Sequence, residues 1–199
     1  MKIDSKDLLN SILESLDHLN YIPLDEIPNI DLYMDQVTTF MEKGLSPTKR
    51  YEEDKILTKT MINNYAKNNL LPPPLKKKYS REHMIVLIFI YYFKNILSIR
   101  DIEQLLQPLT EKHFHTDAPL QIDQIYQEVC ELEKMQIPDL KEELQKIYQK
   151  SEESFSDAPD EYREDLKTFS FICSLSFDIY LKKMIVEHLL DDLSDSTSK

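Results

Sequence analysis

Asparagine and lysine side chains recur on one face of the segment 59–68, and both residue types can contact nucleic acid. Asparagine can hydrogen-bond N6 and N7 of adenine together in the major groove of DNA, and lysine neutralises a backbone phosphate. The polar positions are Lys59, Thr60, Asn63, Asn64 and Lys67, and the apolar positions are Met61, Ile62, Tyr65 and Ala66. This spacing predicts a short helix with one buried face and one face that presents amides and ammonium groups.

A second basic group lies in the segment LLPPPLKKKYS, over 70–80. Three consecutive prolines remove backbone donors and favour extended geometry, so this segment cannot continue the helix. We predict that the two segments together form a DNA-binding surface. Its residues are Lys59, Thr60, Asn63, Asn64 and Lys67, which face DNA, with Tyr65, Lys76, Lys77 and Lys78 holding the phosphate backbone. An ordinary surface helix beside a basic loop is the alternative interpretation.

The charge of the chain is unevenly distributed. The net charge is −12, yet residues 55–100 hold nine lysines and arginines against one acid, Glu82, which gives this stretch a charge of +8. The rest of the chain therefore carries −20. A chain with this distribution can hold a basic site within an acidic protein.

Several kinds of chemistry find no support in the sequence. Gly44 is the only glycine, which excludes the glycine-rich loops that bind nucleotides. No Ser/His/Asp or Cys/His pairing is suggested locally, and His113 and His115 are too few for a metal site. We therefore predict no enzyme, no catalytic residue, no metal and no cofactor.

Apolar periodicity predicts an all-α fold. The expected helices cover 5–19, 30–43, 59–68, 81–95, 99–107, 121–135, 139–150 and 160–193. Residues 84–93 are apolar on every side, so the fourth helix should be buried all round. Thr58, Ser80 and Ser98 stand where helix caps are expected.

Glycine and proline predict where several helices end. We expect Gly44 just past the second helix, Pro108 at the end of the fifth and Pro138 at the start of the seventh. A bend is expected in the last helix near 174–176 because it is unusually long. The predicted division is an N-terminal helix and link over 1–29, a DNA-binding domain over 30–108 and a helical region over 109–199.

The first residues carry acids within their apolar pattern, which does not fit a signal peptide. The longest apolar run, over 84–93, is much shorter than the roughly 20 residues that span a bilayer. These features predict a cytoplasmic protein without a membrane partner.

The order of the segments over about 30–106 resembles the DNA-binding domain of the mercury-resistance-regulator (MerR) family. In that family, a recognition helix that contains a tyrosine is followed by a Leu-Leu-Pro sequence and a basic wing. A Tyr-Ser pair precedes the next helix, and a helix with the pattern Ser-x-x-[Glu/Asp]-Ile follows. The matching residues are Tyr65, Leu70, Leu71, Pro72, Tyr79, Ser80, Ser98, Asp101, Ile102 and Leu106, and Lys77 replaces the wing arginine. The resemblance implies a winged helix-turn-helix of 30–43, 59–68 and 81–95, with 70–79 as the wing, before a C-terminal helical bundle.

The whole chain is also similar to a bacterial family known only as domain of unknown function 1836. Two functions follow as hypotheses. The first is a DNA-binding transcriptional regulator whose partner is double-stranded DNA and whose effector is unknown. The second is a protein-interaction or assembly module that keeps a winged-helix shape without binding DNA.

The last helix predicts a homodimer. Its apolar face over 166–190 is wider than a solvent-facing helix should show. A single short recognition helix also reads few base pairs, so regulators of this shape usually pair across a two-fold axis.

Overall fold

A computed structural model of the chain describes residues 5–16 and 22–197. It is mostly helical, which confirms the all-α prediction. The helices are α1 (Ser5–Leu16), α2 (Met34–Leu45), α3 (Lys59–Lys67), α4 (Arg81–Phe93), α5 (Ile99–His113), α6 (Ile122–Glu152) and α7 (Asp160–Thr197), with 3₁₀ turns at Leu24–Glu26 and Ser46–Thr48. Within these residues, two short strands, β1 (Leu32–Tyr33) and β2 (Lys78–Tyr79), form one antiparallel pair.

The chain divides into two compact units. The core unit comprises Asn20–Glu131 with Leu190–Lys199, and the hairpin unit comprises Met1–Leu19 with Leu132–Leu189. The predicted end of the first helix, at 17–19, lies outside the described residues.

Helix α4 forms the centre of the core unit. Every side chain from His83 to Tyr91 is buried, which confirms the prediction that this helix is buried on all sides. Residues from α2, α3, α5 and the start of α6 complete the same cluster, among them Val37, Met41, Ile62, Tyr65, Ile102, Leu106, Ile122 and Tyr126.

In the hairpin unit, α1 supplies the buried residues Leu9, Leu13 and Leu16. Side chains of α6 and α7 pack against these leucines: Ile137, Leu144, Tyr148 and Phe171. The rings of Tyr148 and Phe171 meet edge to face, with their centroids 5.5 Å apart. The two long helices therefore contact each other as well as α1.

Both prolines that were expected to bound helices lie inside them instead. Pro108 lies within α5, and Pro138 lies within the continuous helix α6. A proline removes one hydrogen bond and costs about 3 kcal/mol in a helix interior. The apolar stripes continue past both prolines, through Leu109 in the core unit and Leu144 in the hairpin unit. We infer that burial of these stripes outweighs the lost hydrogen bonds.

One further expectation about a helix end was wrong. Gly44 lies within α2, which continues to Leu45, because Leu45 is a fully buried core residue that holds the last turn in place. Helix α7 is helical throughout 174–176. There, the hydroxyls of Ser174 and Ser176 donate to the carbonyl oxygens of Ser170 and Ile172, which keeps these polar groups satisfied within the helix.

Candidate nucleic-acid interface

Helix α3 is anchored by its apolar face. Ile62 is completely buried and Tyr65 is 6% exposed, and both belong to the core cluster around α4. At the start of the helix the Thr58 hydroxyl accepts a hydrogen bond from the Met61 N–H at 3.2 Å, which confirms the predicted cap. The residues of this helix that are predicted to face DNA are all exposed: Lys59, Thr60, Asn63, Asn64 and Lys67.

The end of α3 fixes the path of the chain toward the lysine-rich turn. Asn69 adopts φ 59°, the left-handed conformation that often ends a helix. The Leu70 N–H donates to the Tyr65 carbonyl at 3.0 Å, which is the longer of the two hydrogen bonds of a Schellman motif. Leu70 and Leu71 are then buried, so the segment after them starts from the core. An asparagine between the helical pattern and Leu-Leu is the sequence signal for this ending.

The tip of the predicted wing is a tight turn made by two lysines. Lys76 and Lys77 have φ values of 50° and 65°. The Lys78 N–H donates to the Leu75 carbonyl at 2.9 Å, and these two residues form an isolated antiparallel bridge. Two consecutive positive φ values are the signature of a type I′ turn, which normally takes Asn-Gly. Both lysines are exposed, so the turn holds two ammonium groups at its tip.

The strand after this turn ties the wing to α2. Leu32 pairs with Tyr79, and Tyr33 pairs with Lys78, directly before the first residue of α2. The Lys78 ammonium lies 5.2 Å from the centre of the Tyr33 ring. The Tyr33 N–H also donates to Gln36 Oε1 at 2.9 Å, which holds the start of α2. The turn at Lys76 and Lys77 is therefore tied to the start of α2 through the β1–β2 pair.

Three of the predicted contact residues also have other partners. Tyr65 lies in the core, where burial raises the pKa of its phenol, so we assign it a packing role instead of the expected phosphate contact. Lys78 is half-buried against Tyr33. Lys59 forms an ion pair with Asp35 of α2, and both side chains are exposed. Lys67, Lys76 and Lys77 are exposed.

Two other cations of the basic stretch support the fold. Lys94 donates to the Ile56 carbonyl at 2.8 Å, and burial lowers its pKa. Arg81 Nη2 donates to the Leu24 carbonyl at 2.5 Å. The charge of +8 counted from sequence therefore overstates the charge that is available to a phosphate backbone.

The long segment between α2 and α3 is anchored to the core unit. The Thr48 hydroxyl hydrogen-bonds Tyr91 of α4, and Lys49 forms an ion pair with Glu42 of α2. Ile56 and Leu57 at its other end are buried. These contacts fix α3 relative to α2 although the connection is longer than a usual helix-turn-helix turn.

His83 links the start of α4 to the wing. Its Nδ1 accepts a hydrogen bond from the Ser80 N–H at 2.9 Å, so the ring acts as the second half of a capping box. Burial is the main reason that the pKa of His83 falls from 6.5 to about 4, and the neighbouring His115 lowers it further. Hydrogen bonds to the carbonyls of Pro73 and Pro72, and the negative charge of Asp31, raise the pKa and oppose part of this decrease. The ring is 1% exposed and its Nε2 has no well-formed hydrogen bond.

This histidine predicts that acid destabilises the core unit. In the unfolded chain the His83 ring becomes protonated below about pH 6.5, whereas in the folded protein it stays neutral until about pH 4. The stabilising contribution is therefore complete above pH 6.5 and is lost toward pH 4, by roughly 3 kcal/mol. His83→Gln retains a side chain that suits the capping box and removes the titration. The wild-type loss of stability between neutral and acid pH should exceed that of His83→Gln.

Urea unfolding at several pH values measures this difference. His188→Gln, on the exposed surface of α7, serves as the matched control and should follow the wild type at every pH. Equal pH dependence in the wild type and His83→Gln would show that the buried ring does not carry this effect.

The described residues contain no group of three histidines, cysteines or acids that could hold a metal ion. None of the helices in these ranges is long and apolar enough to cross a membrane. Cys130 is buried, whereas Cys173 is exposed on α7.

A family model described as domain of unknown function (DUF1836) matches residues 22–129, which is more than half of the chain. The match covers nearly the whole continuous part of the core unit, including α2, α3, the wing and α4. No curated protein and no solved structure matches the chain.

Proposed function

The chain belongs to the DUF1836 family, and we propose that it is a DNA-binding transcriptional regulator of the winged helix-turn-helix kind, similar to the MerR family. The observation that carries this proposal is the pairing of two exposed polar features on one anchored scaffold. The amide-rich face of α3 is solvent-accessible, and the chain leads from it through two buried leucines to a turn with two exposed lysines.

The division of roles follows from the chemistry of each group. Asn63 and Asn64 are exposed, and an asparagine amide can read the edge of adenine by two hydrogen bonds. Lys67, Lys76 and Lys77 are exposed cations, which suit phosphates and add affinity without sequence preference. Lys59 and Thr60 flank the asparagines at the start of α3. Lys59 would exchange Asp35 for a phosphate at little cost, because exposed ion pairs contribute at most about 1 kcal/mol.

An assembly module without DNA binding is the second candidate. Exposed apolar side chains on α7, such as Phe177 and Tyr180, favour a protein-interaction role. The two candidates differ in their response to DNA. An assembly module would show no salt-dependent affinity for a duplex, whereas a regulator must show it.

Replacement of Asn63 and Asn64 by alanine tests the proposal. Selection of bound duplexes from a random pool should give a preferred sequence for the wild type. The double substitution Asn63→Ala with Asn64→Ala should change that preference by roughly 1–3 kcal/mol for each lost bidentate contact, while binding of random duplex persists. Asn10→Ala, on the exposed face of α1, is the matched control and should leave the preference unchanged. An identical sequence preference in the wild type and the double variant would show that the asparagines of α3 do not contact the bases.

A further inference from the structure

The turn of the wing exposes one large apolar side chain beside its lysines. Leu75 is 70% exposed, and it directly precedes Lys76, Lys77 and Lys78. A single exposed leucine is common on protein surfaces and carries no meaning by itself. This leucine, however, stands at the tip of the element that we assign to DNA, so its orientation decides what it can contact.

The strand pairing defines which side of the wing carries this leucine. Lys78 lies opposite Leu75 across the turn and opposite Tyr33 in β1. Side chains directly opposite each other in an antiparallel pair lie on the same face, and the Lys78 ammonium accordingly lies 5.2 Å from the centre of the Tyr33 ring. The other face carries Leu32 and Tyr79, which are 5% and 3% exposed. Leu75 therefore projects from the outer face of the wing, away from the core.

The backbone holds Leu75 in a fixed position. Residues 72–74 before it are all prolines, and each proline fixes its φ near −65°. After it, the Lys78 N–H donates to the Leu75 carbonyl at 2.9 Å and closes the turn. An element that is already ordered loses little conformational freedom when it binds, so the leucine is presented at a low entropic cost.

We propose that Leu75 enters the minor groove of DNA and inserts between two neighbouring base pairs, an inference that rests on the proposed function. The minor groove of B-DNA is about 6 Å wide, which excludes a helix but admits a side chain at the tip of a turn. Leucine is one of the apolar residues with which proteins open a base step from this groove. Lys76 and Lys77 are exposed beside it, and their charge suits the phosphates on either side of the groove.

The insertion creates a sequence preference at a step that no hydrogen bond reads. Opening a base step costs free energy that depends on its sequence, and pyrimidine–purine steps such as TA and CA open most easily. Leu75 therefore selects a flexible step through the minor groove, whereas Asn63 and Asn64 select bases through the major groove.

An anionic membrane is the other surface that suits lysines beside an exposed leucine. Stable membrane binding requires far more apolar area than one leucine provides, since even a single myristoyl chain gives only marginal affinity. The exposed amides of Asn63 and Asn64 belong to the same core unit, and they suit the edges of bases. These observations favour DNA over a membrane.

Selection of bound duplexes from a random pool, with the full chain, tests the insertion. The wild type should enrich a pyrimidine–purine step at a fixed distance from the bases that depend on Asn63 and Asn64. Leu75→Ala should lose this step alone, and its affinity for the selected duplex should fall roughly tenfold because less apolar surface is buried. The slope of log affinity against log salt should not change, because no charge is removed. Leu75→Met keeps an apolar side chain of similar length and should keep the preference.

Ile96→Ala is the matched control. Ile96 is 53% exposed and follows α4, whose 13 residues place it about 20 Å from the end of that helix that adjoins the wing. This variant should keep both the selected step and the wild-type affinity. Unstacking provides a direct signal: 2-aminopurine at the selected step should become more fluorescent when the wild type binds, and should change little when Leu75→Ala binds.

The results separate this inference from the proposed function. Salt-dependent binding of duplex DNA by the wild type, without a step that depends on Leu75, would overturn the insertion and leave the regulator proposal intact. Absence of duplex binding at low salt would overturn both. Binding to vesicles that contain phosphatidylserine, lost in Leu75→Ala and without any binding to DNA, would assign the wing to a membrane surface instead.

Discussion

Replacement of Lys76 by asparagine and Lys77 by glycine is expected to stabilise the core unit while it weakens DNA binding. Both lysines occupy the left-handed region, which costs a residue with a side chain roughly 1–2 kcal/mol. Asn-Gly is the pair that a type I′ turn prefers, so the free energy of unfolding should rise by about 1–2 kcal/mol. The same change removes two exposed ammonium groups.

The loss of affinity should be the same for all duplex sequences. Each lysine that neutralises a phosphate releases a counterion, and two lost contacts should reduce the slope of log affinity against log salt by about 1.8. Near physiological salt we expect affinity to fall by roughly 30- to 150-fold, at about 1–1.5 kcal/mol for each of the two charge-assisted contacts. Opposite changes in stability and affinity indicate that the strained lysines are retained for binding.

Urea unfolding and fluorescence anisotropy with labelled duplex measure the two effects. The charge-matched control is Lys134→Asn with Lys150→Asn, which removes two exposed lysines from α6. It should leave both DNA affinity and the salt slope close to the wild-type values. A second variant, Lys76→Arg with Lys77→Arg, keeps both charges and should keep the affinity. Equal losses in the wing variant and the α6 control would mean that net charge alone determines binding.

The second large effect concerns Gly44. Alanine normally improves a helix by about 1 kcal/mol relative to glycine, so propensity alone predicts that Gly44→Ala stabilises α2. A Cβ at this position would lie 2.5 Å from Ile22 Cδ1 and 2.8 Å from Ile22 Cγ1. Ile22 is itself buried in the core cluster, so it has little freedom to move. We expect Gly44→Ala to destabilise the core unit by about 1–3 kcal/mol, as overpacking usually does.

A double-mutant cycle identifies the cause. Ile22→Ala alone should cost about 2–5 kcal/mol, because it leaves a cavity in the core. The double variant Gly44→Ala with Ile22→Ala should be clearly more stable than the sum of the two single changes predicts, since the new methyl group fills part of that cavity. Additive losses would exclude the contact with Ile22, and a stabilised single variant would contradict the expected overpacking.

Much of the helical framework could be predicted from local pattern. The capped start of α3 at Lys59 and the buried apolar run of α4 follow from spacing and residue type, because these signals lie within a few positions of each other. The continuity of α5 and α6 through Pro108 and Pro138 could not be predicted in this way. It depends on burial against residues that are distant in sequence, and this packing outweighs the local preference of proline.

The candidate site shows the same division. The exposure of Asn63 and Asn64 follows from the helical period of the apolar residues around them. The partners of individual cations could not be predicted from this period. Lys59 pairs with Asp35, and Lys94 hydrogen-bonds the Ile56 carbonyl, only in the folded chain. The strained turn at Lys76 and Lys77 was also missed, since two lysines give no sequence signal for positive φ.

The most direct test of the central proposal is the affinity of the full chain for random duplex DNA over a salt series, for example from about 50 to 200 mM. We predict measurable binding at the low end and a steep linear decrease of log affinity with log salt, with a slope of about −3 per chain if Lys67, Lys76 and Lys77 each neutralise one phosphate. Absence of binding at low salt, or binding that does not change with salt, would contradict the assignment of this protein as a DNA-binding regulator.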